Sequence, residues 1–206
     1  METAVSIHHG PYESIPANAS PGLRFLQNFL PAVDSLDPGD KPITSFFTPN
    51  APILIGSNPP NAAGDATPLL EVRGRNLSHF HHQVHIAWDI DLRTDNPSHS
   101  ISYATGTASN EARQELNLYA PLPGKIPMKR TVMFEATSET IFQNDPDQLP
   151  VRIREFNILD LEGRDEPDLQ VVEMRVFMDP KPVQSHAASL SMASAYGEAQ
   201  GTADPV

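Results

Sequence analysis

Four of the chain's eight histidines, His79, His81, His82 and His85, fall within the stretch SHFHHQVHIAWDID at residues 78–91. Imidazole offers two kinds of chemistry, metal ligation and proton transfer near neutral pH. Which one applies depends on the local backbone, because helix and strand group these residues differently. On a helix reaching residue 85, His81 and His85 stand at i, i+4, a spacing that suits two zinc ligands. The residues between them are His82, Gln83 and Val84, so there is no HExxH, and no motif places a third ligand. No native metal site is expected. On a strand, His82 falls on the face of Val84, Ile86 and Trp88, whereas His85 falls with Asp89 and Asp91. A histidine on an apolar face can serve as a general base, and one sharing a strand face with a carboxylate can serve as a charge-paired acid. The alternative is that His79, His81 and His85 are exposed or at an oligomer interface, and His82 hydrogen-bonds a helix end.

Other groups carry similar pairs of readings. Asp89 and Asp91, at i, i+2 on one strand face, stand about 7 Å apart; they suit a catalytic carboxylate pair or a solvent-facing strand edge. Asp34 follows the apolar Val33 and fits either a pocket carboxylate or a solvated helix end. Glu135, Glu155 and Glu173, with Arg152, Arg154 and Arg175 nearby, read as outer-face ion pairs worth up to ~1 kcal/mol each. Trp88, Phe134, Met174 and Met178 can line a ligand pocket or fill a core. Tyr103 and Tyr119 lie in a long connection, residues 94–127, and a phenol can donate to a developing oxyanion. There is no nucleophile elbow, phosphate loop or dinucleotide fingerprint; GSNPPNAAG lacks the Gly-Lys-Ser/Thr ending.

Composition narrows the field. The chain has 206 residues, 39% of them hydrophobic, enough for one domain with a core. A net charge of −12 argues against phosphate-backbone binding, and Lys129-Arg130 is too short a basic run to reverse that. The absence of cysteine excludes disulfides, thiolate nucleophiles and cysteine-based zinc sites. No apolar run approaches the ~20 residues of a membrane span. The opening METAVSIHHGPYESIPANASPG has neither a basic n-region nor an apolar core, so no signal peptide is read there. The sequons at Asn18 and Asn76 are then accidental, and the expected location is cytoplasmic.

These residues must be positioned by a recognisable set of elements. Residues 1–21, with Pro11, Pro16 and Pro21, read as a flexible arm, and the Ala/Ser-rich residues 184–206 as a disordered tail. A first helix starts near Pro21, with Leu23, Leu26, Phe29, Leu30 and Val33 on one face and a kink or break at Pro31. Two short extended pieces flank TPNAP, a loop covers 58–68, and a second helix is expected over residues 69–82. The period then changes from 3.6 to 2. Strands are expected at 84–92, 129–142, 151–161 and 169–178, joined by turns that favour antiparallel pairing. Helices first and a meander sheet after them give an α+β class.

The apolar first helix, FFTPNAPILIGS, the helix through EVRGRNLSHFHH and the strands ending in VVEMRVFMDPKPV together resemble the nuclear-transport-factor-like superfamily. That group includes SnoaL-like polyketide cyclases, scytalone dehydratases and ketosteroid isomerases, and the chain most resembles its fungal members without an assigned reaction. The resemblance covers residues 22–183. It implies a cone-shaped fold of N-terminal helices packed on a curved antiparallel sheet, an apolar pocket, frequent homodimers, and acid–base catalysis on hydrophobic small molecules of secondary metabolism, of polyketide or terpenoid type, without a cofactor. No family catalytic residue maps onto a position here. The candidates from the residues themselves are His82, His85 and Asp89 for proton chemistry, and Trp88, Phe134, Met174 and Tyr119 for substrate contact. The competing expectation is a non-catalytic ligand-binding or dimerisation module of the same fold.

Overall fold

The computed structural model describes residues 4–37, 42–65, 67–92 and 127–200. Tyr119 and Tyr103 lie outside them. Among the described residues the chain builds three helices, α1 (Pro21–Asp34), α2 (Thr67–Asn76) and α3 (Lys181–Gln200). The strands are β1 (Val5–His9), β2 (Pro52–Ile55), β3 (Asn61–Ala62), β4 (Leu77–Asp91), β5 (Met128–Phe142), β6 (Val151–Gly163) and β7 (Gln170–Met178). They form one curved, open sheet in the order β1-β4-β5-β6-β7-β2-β3, antiparallel throughout except where β2 runs parallel to β7. The class is α+β.

α1 packs across the inner face of this sheet. Leu23, Leu26, Phe29, Leu30 and Val33 are buried against Val84, Ala87, Val132, Phe134, Leu159 and Leu161. Each such aliphatic or aromatic side chain contributes about 1.5–3 kcal/mol on full burial. Phe25 and Phe29 stack at 5.8 Å, and Phe46 meets both edge-on. Pro31 does not break the helix. It sits on the exposed side of α1, and the helix closes with Ser35 N–H donating to Pro31 O at 3.1 Å.

Several sequence expectations change. The second helix ends at Asn76 rather than running to residue 82, because Leu77 already pairs with Phe142 and His79 with Ile141. Long-range ladder hydrogen bonds outweigh the weak helical pattern beyond Asn76. Within the arm, residues 5–9 form an edge strand in register with β4, Ile7 opposite Trp88. Residues 181–200, which run from the end of the expected domain into the tail, are helical, and His186 Nε2 meets Asp145 Oδ2 at 2.9 Å. Asp145 is itself held by the main-chain N–H groups of Asp147 and Leu149.

The change with most consequence is a register shift in β4 between Val84 and Ile86. His82 and Val84 point inward. His85 and Ile86 then both turn away from the core, and the inward parity resumes at Ala87 and Asp89. A bulge inserts one unpaired residue and so exchanges the faces of everything beyond it. Asp89 therefore enters the interior and Trp88 leaves it, the reverse of simple alternation.

Candidate acid–base site

The inner face of the sheet is not uniformly apolar. In register, Val84, Ala136, Glu155 and Met178 form one cross-strand row, and Ala87, Phe134, Asn157 and Val176 the next. Over the β6, β7 and β2 end of these rows lies a cavity of about 300 Å³. Met174, Met178, Val176, Ile53, Phe47 and Val33 give it apolar walls, and His82, Glu155, Asn157 and Arg73 supply polar groups. A few convergent polar groups in an apolar cleft are the usual make-up of a small-molecule site.

His82 is the centre of this cluster and is buried. Its Nδ1 lies 2.5 Å from Asp34 Oδ1, and its Nε2 lies 2.9 Å from Glu155 Oε1. Its main-chain N–H donates to Asp34 Oδ2 at 3.1 Å. Both ring nitrogens face carboxylate oxygens, which only accept, so the ring is assigned as a doubly donating imidazolium. Burial alone would depress its pKa, but the hydrogen bonds to Asp34 and Glu155 and their charges prevail, and the value is pushed up to about 9. For Asp34, burial pushes upward, yet the hydrogen bonds and charge of His82 hold the carboxyl below its usual 3.8.

The surroundings fix both carboxylates. Asp34, at the last turn of α1, also accepts from Tyr12 Oη at 3.1 Å and lies 3.0 Å from His81 Nδ1. Burial first, and the Asp34 charge second, raise the Tyr12 phenol well above its ordinary value, so it remains a donor. Glu155 Oε1 receives a second bond from Asn157 Nδ2 at 2.9 Å. Among the described residues, Glu155 Oε2 accepts none.

The sequence-derived candidates are distributed differently from expectation. His82 and Met174 line the cavity. His85 is exposed on the other face and bonds Thr137 Oγ1 at 2.8 Å. Asp89 is fully buried away from the cavity: Oδ1 takes Arg130 Nε at 2.7 Å and Oδ2 takes the Gly22 N–H at 2.9 Å. It is thus a buried cap for the start of α1, whose fellow ion-pair member is Asp91, 3.0 Å from Arg130 Nη1. Trp88 lies on the outer face, 6.3 Å from the Phe156 ring. Phe134 is buried in the core and does not border the cavity. Glu135 and Glu173 pair with Arg154 and Arg175 on the outer face, at 3.8 and 3.0 Å, but Glu155 does not join them.

Glu155, Asn157 and Arg73 were missed by sequence reasoning. For the first two the signal was present in VRIREFNILDL: they share strand parity with Ile153, Leu159 and Leu161, all inward. Two polar residues at apolar parity mark an interior polar site. Among the described residues, no group of three or more His, Asp or Glu side chains is placed to hold a metal ion.

No family model matches this sequence, and no curated protein matches it. Among solved structures, the chain is similar to AusH from Aspergillus nidulans, with a TM-score of 0.46 and 13% identity over 80% of this chain and 87% of AusH. None of the described helices is long and apolar enough to cross a membrane.

Proposed function

We propose that this protein binds a small hydrophobic molecule and transfers a proton to or from it, as a cofactor-independent isomerase, cyclase or dehydratase of secondary metabolism. The observation that carries the reading is Glu155: its Oε1 is clamped by His82 and Asn157 at the wall of an apolar cavity, and its Oε2 accepts no hydrogen bond among the described residues. In this scheme Oε2 takes a proton from a ligand C–H or O–H, forming a carboxylic acid, and returns it to another ligand atom. His82 has no free nitrogen lone pair, so it acts on Glu155 rather than as the base. It holds the Glu155 carboxylate in place by donating to Oε1, and Asp34 orients the His82 ring. The apolar walls strengthen these interactions by lowering the local dielectric.

We place the protein, as a proposal, among the nuclear-transport-factor-like proteins, in the cytoplasm and as a homodimer. Ile7, Trp88, Phe156 and Phe177 form an apolar patch on the outer face that a second copy can cover, with Ile7 and Phe177 more than half exposed. A purely non-catalytic module has less support, since a filled or wholly apolar cavity would suit it better than one holding a clamped carboxylate. The test is incubation of the protein in D₂O with a panel of apolar ketones, lactones and alcohols, read by mass spectrometry. Wild type should incorporate deuterium or convert at least one compound, and Glu155→Gln should do so 10²–10⁴-fold more slowly, the usual contribution of a general base, while still binding it. Equal rates in the two proteins would remove Glu155 from the chemistry.

A further inference from the structure

Arg73 stands out among the guanidinium groups. Of the described arginines that are buried or partly buried, Arg24 pairs with Glu166, Arg130 with Asp89 and Asp91, and Arg175 with Asp160 and Glu173. Among the described residues, Arg73 has no carboxylate within ion-pair distance, and the Asp34 charge acts on it only from further away. Its Nη2 donates to two main-chain carbonyls at the C-terminal end of α1, Val33 O at 2.7 Å and Ser35 O at 2.8 Å. Its Nε, like those of Arg24 and Arg175, is buried and has no hydrogen-bond partner among the described residues. The group cannot swing away without losing both carbonyls, and it borders the cavity. Arg73 is partly buried, and a cation drawn partly out of water is stabilised by a counter-charge, because desolvation is costly without one.

We propose, building on the reading of the cavity as an apolar ligand site, that Arg73 receives the carboxylate of an apolar acid bound there. The spacing separates this anion from the Glu155 carboxylate. The Arg73 guanidinium carbon lies 4.8 Å from the centre of the Phe80 ring, and the Phe80 ring meets His82 edge-on at 5.0 Å. An acid's head group at Arg73 is thus divided from Glu155 by Phe80 and the His82 imidazolium. Its apolar body extends toward Met174, Val176 and Ile53, on the side of the cavity that Glu155 also lines. The ligand class is an apolar carboxylic acid whose reacting atoms lie away from its carboxylate.

The test uses 2-naphthoate and the uncharged 2-naphthamide of the same shape, measured by calorimetry on the full chain. Wild type should bind the acid at least tenfold more tightly than the amide. Arg73→Met should bind the two equally, with amide affinity within about threefold of wild type. Arg73→Gln keeps an N–H donor for the Val33 and Ser35 carbonyls without the charge, and should give the same result should the methionine variant fold poorly. An acid no tighter than the amide in wild type, or a preference that survives both substitutions, would overturn the role of Arg73 alone. Failure of wild type to bind either probe would overturn the apolar-cavity reading and this inference with it.

Discussion

Raising the pH should weaken folding of this protein through His82. The imidazole titrates at about 9 in the folded state against an ordinary 6.5, so the folded chain holds its proton more tightly than the unfolded chain. Below pH 6.5 both states carry the proton and the full stabilisation is present; as pH rises through 9 it is lost. At about 1.4 kcal/mol per unit, the gap amounts to about 3 kcal/mol. Because His82 is buried, solvent screening does not erode this as it would on the surface. Asp34 acts in the opposite sense: its folded value lies below 3.8, so its contribution is present above that pH and disappears as pH falls through the folded value. The cluster is therefore most stabilising between about pH 4 and 6.5. Urea unfolding followed by far-ultraviolet circular dichroism from pH 5 to 10, on wild type and His82→Gln, isolates the effect. Wild type should lose about 3 kcal/mol more than the variant between pH 6.5 and 10. Equal pH dependence in the two proteins, or wild-type stability that rises over this range, would refute the assignment of His82 as a doubly bonded imidazolium.

Asp34→Asn removes the charge that Tyr12, His81 and His82 converge on. It should cost about 3 kcal/mol, the usual consequence of breaking a buried ion pair, and should lower the His82 pKa measured by NMR. Gly22→Ala would drive its methyl group into the Asp89 carboxylate. The carboxylate would lose the Gly22 N–H or Arg130, and an equilibrium melt should show a loss of about 2–4 kcal/mol. Because Trp88 sits on the outer face, filling the cavity should leave its emission unchanged, whereas dilution of a dimer closed over that face should shift the emission maximum to longer wavelength.

Much of the fold was legible because periodicity is a local property. The apolar face of α1 and the alternating runs of β5, β6 and β7 appear in the sequence within a few residues of their observed limits. Pairing partners are not local. The helical reading of His79 and His81 failed because β5 supplies thirteen residues of ladder beside β4, from Phe142 to Arg130. The site was legible only in part for the same reason. His82 faced inward as strand parity suggested, but the bulge at Val84/Ile86 exchanged Trp88 and Asp89, and no local pattern announces a bulge. Glu155 was readable from parity, yet the neighbouring Arg152 and Arg154 made a surface pair look sufficient. Arg73 carried no signal, because its role depends on the carbonyls of Val33 and Ser35, some forty residues away.

The central claim is that an apolar molecule occupies the cavity beside Glu155 and His82. Methyl NMR of ¹³C-methionine-labelled protein titrated with 2-naphthamide addresses it directly. Met174 and Met178 border the cavity, whereas Met133, in register with Trp88, belongs to the outer face. The account predicts saturable shifts of the Met174 and Met178 methyl signals with Met133 unmoved. Shifts confined to Met133, or none at any methionine, would contradict it.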